Sequence, residues 1–370
     1  MNYFDHSATT PINNEVLSLM QVMQTENYGN PSSIHLLGQK SRSIIENART
    51  QIAKAINADQ EQIIFTSGGT ESNNQVLWSM LHNNKKHIVS SKIEHPAVIK
   101  VIEFLRCLGL EYSLIGVDSK GIISIKDLEN ATSNNTGLIS IMLANNEVGT
   151  IQPIKEIVQI ANEKNILVHS DAVQCLGKMT LDVKDLGLDF LSLSAHKFYG
   201  PKGAGILYVK NPTRFLSPLI IGGNQEGGLR GGTENLVSIA GMGLAAELAT
   251  TSINDHIEHL NTIEEQFKIG ITNISQNIIF NGHQDYKLPG LVSVSFPGLK
   301  SNTLLTKLDR KNIYVSNGSA CGSGDITPSP ILSAMGYDNS INLSTLRFSF
   351  GITNTSEEIA FLISELDKIL

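Results

Sequence analysis

The sequence predicts an α/β protein, a large domain with a mostly parallel sheet covered by helices, followed by a smaller α+β domain. From about residue 44, short apolar runs alternate with stretches of helical period. Those runs have period-two or continuous character, and the continuous ones suit strands buried on both faces. Past about residue 256 the pattern changes to period-two alternation, the mark of antiparallel strands with one face toward solvent.

In chain order, Ile63-Ile64-Phe65-Thr66 reads as a strand and residues 71–81 as a helix. Residues 87–90 form the next strand and 98–108 the next helix, then 138–142 a strand and 154–164 a helix. Residues 166–169 and 190–193 are two further strands. Strands separated by helices of this length are parallel βαβ units. A helix over 257–274 leaves this core. Residues 291–296 and 346–350 alternate like half-exposed antiparallel strands, and 357–370 closes the chain as a helix. The expected division is a large domain over 15–255 and a small one over 256–370, which residues 1–14 are free to join.

Composition narrows the function. The 370 residues are 41% hydrophobic and 17% charged, with a formal net charge of −7, which suits a soluble enzyme and not a nucleic-acid binder. The three cysteines, Cys107, Cys175 and Cys321, fit no metal or disulfide spacing and suggest a reducing compartment. The first six residues lack the basic and apolar regions of a signal peptide, and no apolar run reaches the ~18 residues of a membrane span, so the expected location is cytoplasmic.

Five segments carry candidate chemistry. In Phe65-Thr66-Ser67-Gly68-Gly69-Thr70-Glu71-Ser72-Asn73 a strand gives way to glycines and then a helix, which is either a phosphate site or a tight turn capped by Thr70. Asp171 ends a buried strand, where open α/β sheets bind ligands. It is either a helix cap or the partner of a buried cation, such as a protonated pyridine nitrogen. Lys197 follows a buried strand in Ser194-Ala195-His196-Lys197 and is either a solvated surface lysine or, in a setting that depresses an amine pKa, a Schiff-base nucleophile. Residues 222–235 hold six glycines within eleven positions and must form a loop, either a connector or a support for a phosphate through Thr233. Cys321 sits among small polar residues in Gly318-Ser319-Ala320-Cys321-Gly322-Ser323-Gly324, as reactive thiols do. Cys107 and Cys175 have apolar neighbours in sequence and are expected in the core.

These segments, with Tyr3 to Pro11, Tyr28-Gly29-Asn30-Pro31-Ser32-Ser33, Glu94-His95, Asn145-Asn146-Glu147-Val148-Gly149 and Arg347-Phe348, occur in one order over nearly the whole chain. In that order they resemble the cysteine desulfurases of the NifS/IscS-like group, within the class V aminotransferases and the fold-type I pyridoxal-phosphate (PLP) enzymes. The resemblance implies PLP as cofactor, no metal, L-cysteine as substrate, alanine as product and a likeness to homodimers. It implies Lys197 as the Schiff-base lysine, Asp171 on the pyridine nitrogen, Gln174 on the ring hydroxyl and His95 stacked on the ring as a proton carrier. Gly69, Thr70, Ser194 and His196 are implied as phosphate holders, and Thr233 as a contact to the phosphate of a partner subunit. Arg347 is implied as the clamp on the substrate carboxylate, Asn146 as a residue orienting substrate and ring, and Cys321 as the acceptor of sulfur in a persulfide. The implied sulfur acceptor is a protein such as an iron–sulfur scaffold, a tRNA-thiolating enzyme or a rhodanese-like carrier. Gly227 departs from the family, which often carries an arginine there. The rival readings are a selenocysteine lyase, another fold-type I enzyme such as an aminotransferase or decarboxylase, and a non-catalytic scaffold. The thiol at 321 argues against the second, and the intact set of Lys197, Asp171 and Cys321 against the third.

Overall fold

The computed structural model describes residues 2–318 and 327–370, and Cys321 therefore lies outside the described residues. Within them the strands are β1 (Asn2–Tyr3), β2 (Ile63–Thr66), β3 (His87–Ser91), β4 (Glu111–Ile115), β5 (Thr136–Ser140) and β6 (Leu167–Asp171). They continue as β7 (Phe190–Ser194), β8 (Gly205–Val209), β9 (Ile279–Asn281), β10 (Leu291–Ser295), β11 (Ile313–Tyr314) and β12 (Thr345–Ser349).

Seven strands form the large sheet in the order β2-β8-β7-β6-β5-β3-β4. The strands from β3 to β7 run parallel, while β8 runs antiparallel to both β7 and β2. The reversal of β8 follows from its connection. A parallel return needs a crossover of about a dozen residues or more, and the short run from Ser194 to Gly205, which carries Lys197, cannot supply one. Every residue of β2, β3, β5, β7 and β8 is buried, as expected for a sheet covered on both faces. Because β2, β3, β6 and β7 point the same way, their C-terminal ends open on one edge of the sheet, where α/β folds place their ligands.

The C-terminal part contains a three-stranded antiparallel sheet, β12-β10-β9. Its apolar face packs on the helices Ile253–Ile274 and Ser356–Asp367, with Phe267 4.6 Å from Phe348 and 5.3 Å from Phe350 between ring centroids. The start of the chain packs with it. β1 pairs with β11, Phe4 joins the same apolar cluster, and Asp5 bridges to Ser349.

Three expectations change. β10 and β12 are buried on both faces, not half-exposed. The polar residues of their second face satisfy one another: Asn281 Nδ2 donates to Ser293 and Ser295 at 3.2 and 3.0 Å, and Ser295 and Thr345 share a bond of 2.7 Å. Alternation therefore marked a buried polar layer and not solvent. Cys107 is exposed, because its helix ends at Leu105 and a 3-10 turn over Arg106–Leu108 carries it outward; Cys175 is in the core. Finally, the helix Asn14–Glu26 and the first part of the helix Leu36–Ala55 lie before residue 44, where the alternating pattern begins. Among the described residues no single helix is long and apolar enough to cross a membrane.

Candidate active site

The C-terminal ends of four strands build one crevice. β2 runs into the helix Gly69–Ser79 through Gly68, which is its N-cap. Thr70 therefore lies inside the first turn, and the expectation of Thr70 as the cap is not met. By helix geometry the first N–H groups, those of Gly69, Thr70 and Glu71 among them, have no acceptor within the helix and form an anion-binding terminus. At Gly69 a Cβ would come within 2.6 Å of Val173 Cγ2, so only glycine keeps this turn close to the strand that carries Asp171. Ser194 closes β7 on the same side, 3.6 Å from where a Cβ on Gly68 would stand. His196 bonds Thr9 through Nδ1 at 3.1 Å, and its pKa is lowered to about 4 by burial and by the nearby Lys197 and Lys202.

Asp171 ends β6 and is 7% exposed. One oxygen accepts from Asn73 Nδ2 at 2.6 Å and the other from the Val173 N–H at 3.0 Å. It thus caps the turn and keeps a fixed carboxylate as well, and among the described residues no cation pairs with it. Asn73 has no role in the sequence reading. The signal was present, since Ser72, Asn73 and Gln75 put polar side chains on the buried part of one helix.

Lys197 follows β7 in a 3-10 turn, and its Nζ donates to the Ser7 and Ala8 carbonyls at 2.5 and 2.7 Å. Burial, with Arg347 and Lys178 adding to it, lowers its pKa to about 7, so the amine is partly unprotonated near neutrality. Gln174 donates to the same Ser7 carbonyl at 2.9 Å and accepts from the buried Lys178 at 3.4 Å. Asp5 and Ser7 carry no role in the sequence analysis, because only the fold brings the N-terminal segment across the site, and Lys178 gains its place there from Gln174, four residues before it in sequence.

His95 is the N-cap of the helix Pro96–Leu105. Its Nδ1 accepts from the Ala97 N–H at 3.1 Å, which assigns the proton of the neutral ring to Nε2. The residue is exposed, yet desolvation by the surrounding protein lowers its pKa, with Asp171 opposing and Lys197 adding to the shift. The preceding Glu94 is buried, and burial raises its pKa to about 8 despite bonds from Ser91 and the Met142 N–H.

Arg347, on β12, reaches in from the C-terminal part. Nη2 donates to Asp5 at 2.7 Å and Nη1 to the Asn146 carbonyl at 2.9 Å, while its buried Nε and the buried Oδ1 of Asn146 have no partner among the described residues. Thr233 is exposed in the glycine-rich loop. That loop is held without an arginine at 227: Glu226 takes both terminal nitrogens of Arg49 at 2.8 and 2.9 Å, and Arg230 bonds Glu71 at 3.0 Å.

The donor set fits PLP. A helix terminus with Ser194 and His196 suits a phosphate dianion. Asp171 suits a ring cation, and Lys197 beside it suits a carbonyl carbon. Arg347 Nε and Asn146 Oδ1 are buried without a hydrogen-bond partner among the described residues, which leaves polar capacity in the pair. Among the described residues no cluster of three or more His, Cys, Asp or Glu side chains is arranged to hold a metal.

Comparison with known proteins agrees with this geometry. The family model for "Aminotransferase class-V" matches residues 2–362. A "Cysteine desulfurase IscS" of Dictyoglomus turgidum is 43% identical, covering 100% of this chain and 94% of its own length. "Cysteine desulfurase, mitochondrial" of Saccharomyces cerevisiae is 41% identical, over 98% of this chain and 73% of its own length. Among solved structures, a "NifS-like protein" superposes with a TM-score of 0.94 at 37% identity, covering 100% of this chain and 98% of that one. "SspA in complex with cysteine" gives 0.84 at 35% identity, covering 96% of this chain and 100% of that one.

Proposed function

The chain belongs to the class-V aminotransferase family, and we propose that it is a PLP-dependent cysteine desulfurase, taking sulfur from L-cysteine as a persulfide on Cys321 and releasing alanine. The observation that carries this reading is the convergence of Lys197, Asp171 and His95 at the ends of β7, β6 and β3, with an amine pKa of about 7 at Lys197. The desulfurase names of relatives over the full chain favour it over a selenocysteine lyase or another fold-type I reaction.

The roles proposed for the residues follow their chemistry. Gly69, Thr70, Ser194 and His196 would hold the phosphate, with Thr233 serving the partner subunit's site. Gln174 would bond the ring hydroxyl, and Asp171 would keep the ring nitrogen protonated. When bound, PLP supplies an electron sink for the pair left at the substrate α-carbon. Arg347 and Asn146 would bind the substrate carboxylate and orient it, a task suited to a planar guanidinium. Lys197, neutral in part at physiological pH, can anchor the cofactor covalently and accept the α-proton. His95, neutral with its proton on Nε2, carries protons at the substrate thiol. The Cys321 thiolate forms the S–S bond as the Cβ–S bond breaks, and the electron pair of that bond stays with the carbon fragment, which takes a proton and leaves as alanine.

Asp171→Ala tests the electrostatic part. The variant is expected to fold and to lose at least ~100-fold in kcat, because a neutral ring is a poor electron sink. A normal kcat with a lowered melting temperature would make Asp171 a helix cap only.

Two remaining proposals rest on the resemblance, a homodimer and a sulfur-acceptor protein such as an iron–sulfur scaffold or tRNA-thiolating enzyme, and two on the sequence pattern, a cytoplasmic location and a division near residue 255. Light scattering of the active enzyme should give twice the 40.2 kDa chain mass. A mass of one chain with full activity would exclude the dimer.

A further inference from the structure

Glu147 stands apart from the roles above, yet it is the point where both flanks of the cysteine segment meet. It is 6% exposed and follows Asn146, whose carbonyl binds Arg347. Its own N–H and that of Val148 are held by Asn145 Oδ1 at 2.9 and 3.0 Å, so the backbone at 147 is fixed to the large sheet's edge. On one side, Ser329 Oγ donates to Glu147 Oε2 at 2.6 Å. Ser329 is itself fixed by a pair of bonds with Asn342, each 2.8 Å, and caps the helix Pro330–Ala334. On the other side Gly318, at φ +84°, packs on the same carboxyl, and a Cβ there would stand 2.8 Å from Oε2 and 3.1 Å from Cδ. Two residues before it, Ser316 bridges to Arg347 through backbone bonds of 2.6 and 3.2 Å. One carboxyl oxygen thus accepts from Ser329, just past 326, and occupies the space a side chain on Gly318 would need, while the adjoining Asn146 carries the bond to Arg347.

We propose that Glu147 is a positioning residue for sulfur transfer: it fixes both ends of the segment containing Cys321 to the element that holds the substrate-binding Arg347. The inference rests on the desulfurase reading. Its physical reason is that an S–S bond forms only when two sulfurs meet in a narrow geometry, and a misplacement of about 1 Å can cost ~100-fold. Burial raises the Glu147 pKa, against the bond from Ser329 and the charge of Arg347, the one charged group that acts on it appreciably. Glutamine at 147 keeps an oxygen that can accept from Ser329, which makes it the conservative variant.

The test compares Glu147→Ala, Glu147→Gln and Gly318→Ala in the holoenzyme, with L-cysteine as the probe. Two steps are read separately: the change in the cofactor absorbance on adding cysteine, which precedes sulfur transfer, and the rate at which one extra sulfur appears on the peptide containing Cys321. Glu147→Ala and Gly318→Ala should leave the first within about twofold and slow the second by ~10- to 100-fold. Glu147→Gln should restore the second to within about threefold. Equal persulfide rates in wild type and Glu147→Ala overturn the inference while leaving the desulfurase reading intact, as does a parallel loss of both steps. If Glu147→Ala does not fold, Gly318→Ala decides alone by the same two readouts. Wild type that places no sulfur on Cys321 overturns the desulfurase reading itself.

Discussion

Lys197→Ala is expected to yield a protein without the yellow lysine-bound cofactor and with turnover reduced ~1,000-fold or more, since it removes the proposed nucleophile of an interdependent site. The buried setting gives Lys197 a pKa of about 7, so near neutrality a substantial share of the amine holds a free pair that can attack a carbonyl. No neighbouring lysine substitutes for it. Lys178 is buried against Gln174, with its own pKa lowered to about 8. Lys202 lies beyond the turn that His196 and Lys197 form. Borohydride reduction of wild type followed by peptide mapping should place the pyridoxyl group on Lys197. A label on Lys202 or Lys178, or a Lys197→Ala variant that keeps the yellow band and its activity, would contradict the assignment. The sign of the pH effect is fixed as well. The amine gains a proton as pH falls through about 7, so cofactor capture by the unloaded protein should slow below that value.

Much of this site was legible because its residues sit at strand ends and strand ends are written locally. Asp171 ends one short apolar-rich strand and Lys197 stands three residues past another, and the C-terminal ends of buried parallel strands face ligands. Other features were hidden for specific reasons. Asp5 and Ser7 contact Arg347 and Lys197 from more than 180 positions away, a pairing that local pattern cannot express. Asn73 was visible only as a polar residue on a helix face, and its meaning comes from Asp171 across the turn. The strands β10 and β12 were misread as half-exposed because a buried layer of Ser, Thr and Asn has the same alternation as a wet face. Cys107 was misplaced because apolar neighbours in sequence do not fix the side from which a 3-10 turn leaves its helix. The reversal of β8 could have been anticipated from the length of its connection, since too few residues separate it from β7 for a parallel return.

Cys321→Ser separates a desulfurase from every other PLP reaction. The residues proposed to bind cofactor and substrate, from Gly69 to Arg347, do not include position 321, so the variant should keep the cofactor spectrum and still respond to cysteine. Carbon–sulfur cleavage needs a soft, polarizable nucleophile to accept the sulfur, and a serine hydroxyl is neither soft nor ionised near neutrality. Alanine formation is therefore expected to fall ~1,000-fold or more, while cysteine still perturbs the absorbance. The other thiols cannot take over the role. Cys175 is fully buried, beside Asp171, and burial pushes its pKa above the usual thiol range. Cys107 lies on the exposed turn after the helix that His95 caps, at the end remote from that cap.

The most direct test of the central claim is the mass of the peptides after a single turnover. Wild-type holoenzyme, given one equivalent of L-cysteine and quenched by alkylation, should carry one added sulfur on the peptide containing Cys321, together with one equivalent of alanine. An added sulfur on Cys107 or Cys175, or alanine released at the wild-type rate by Cys321→Ser, would contradict it.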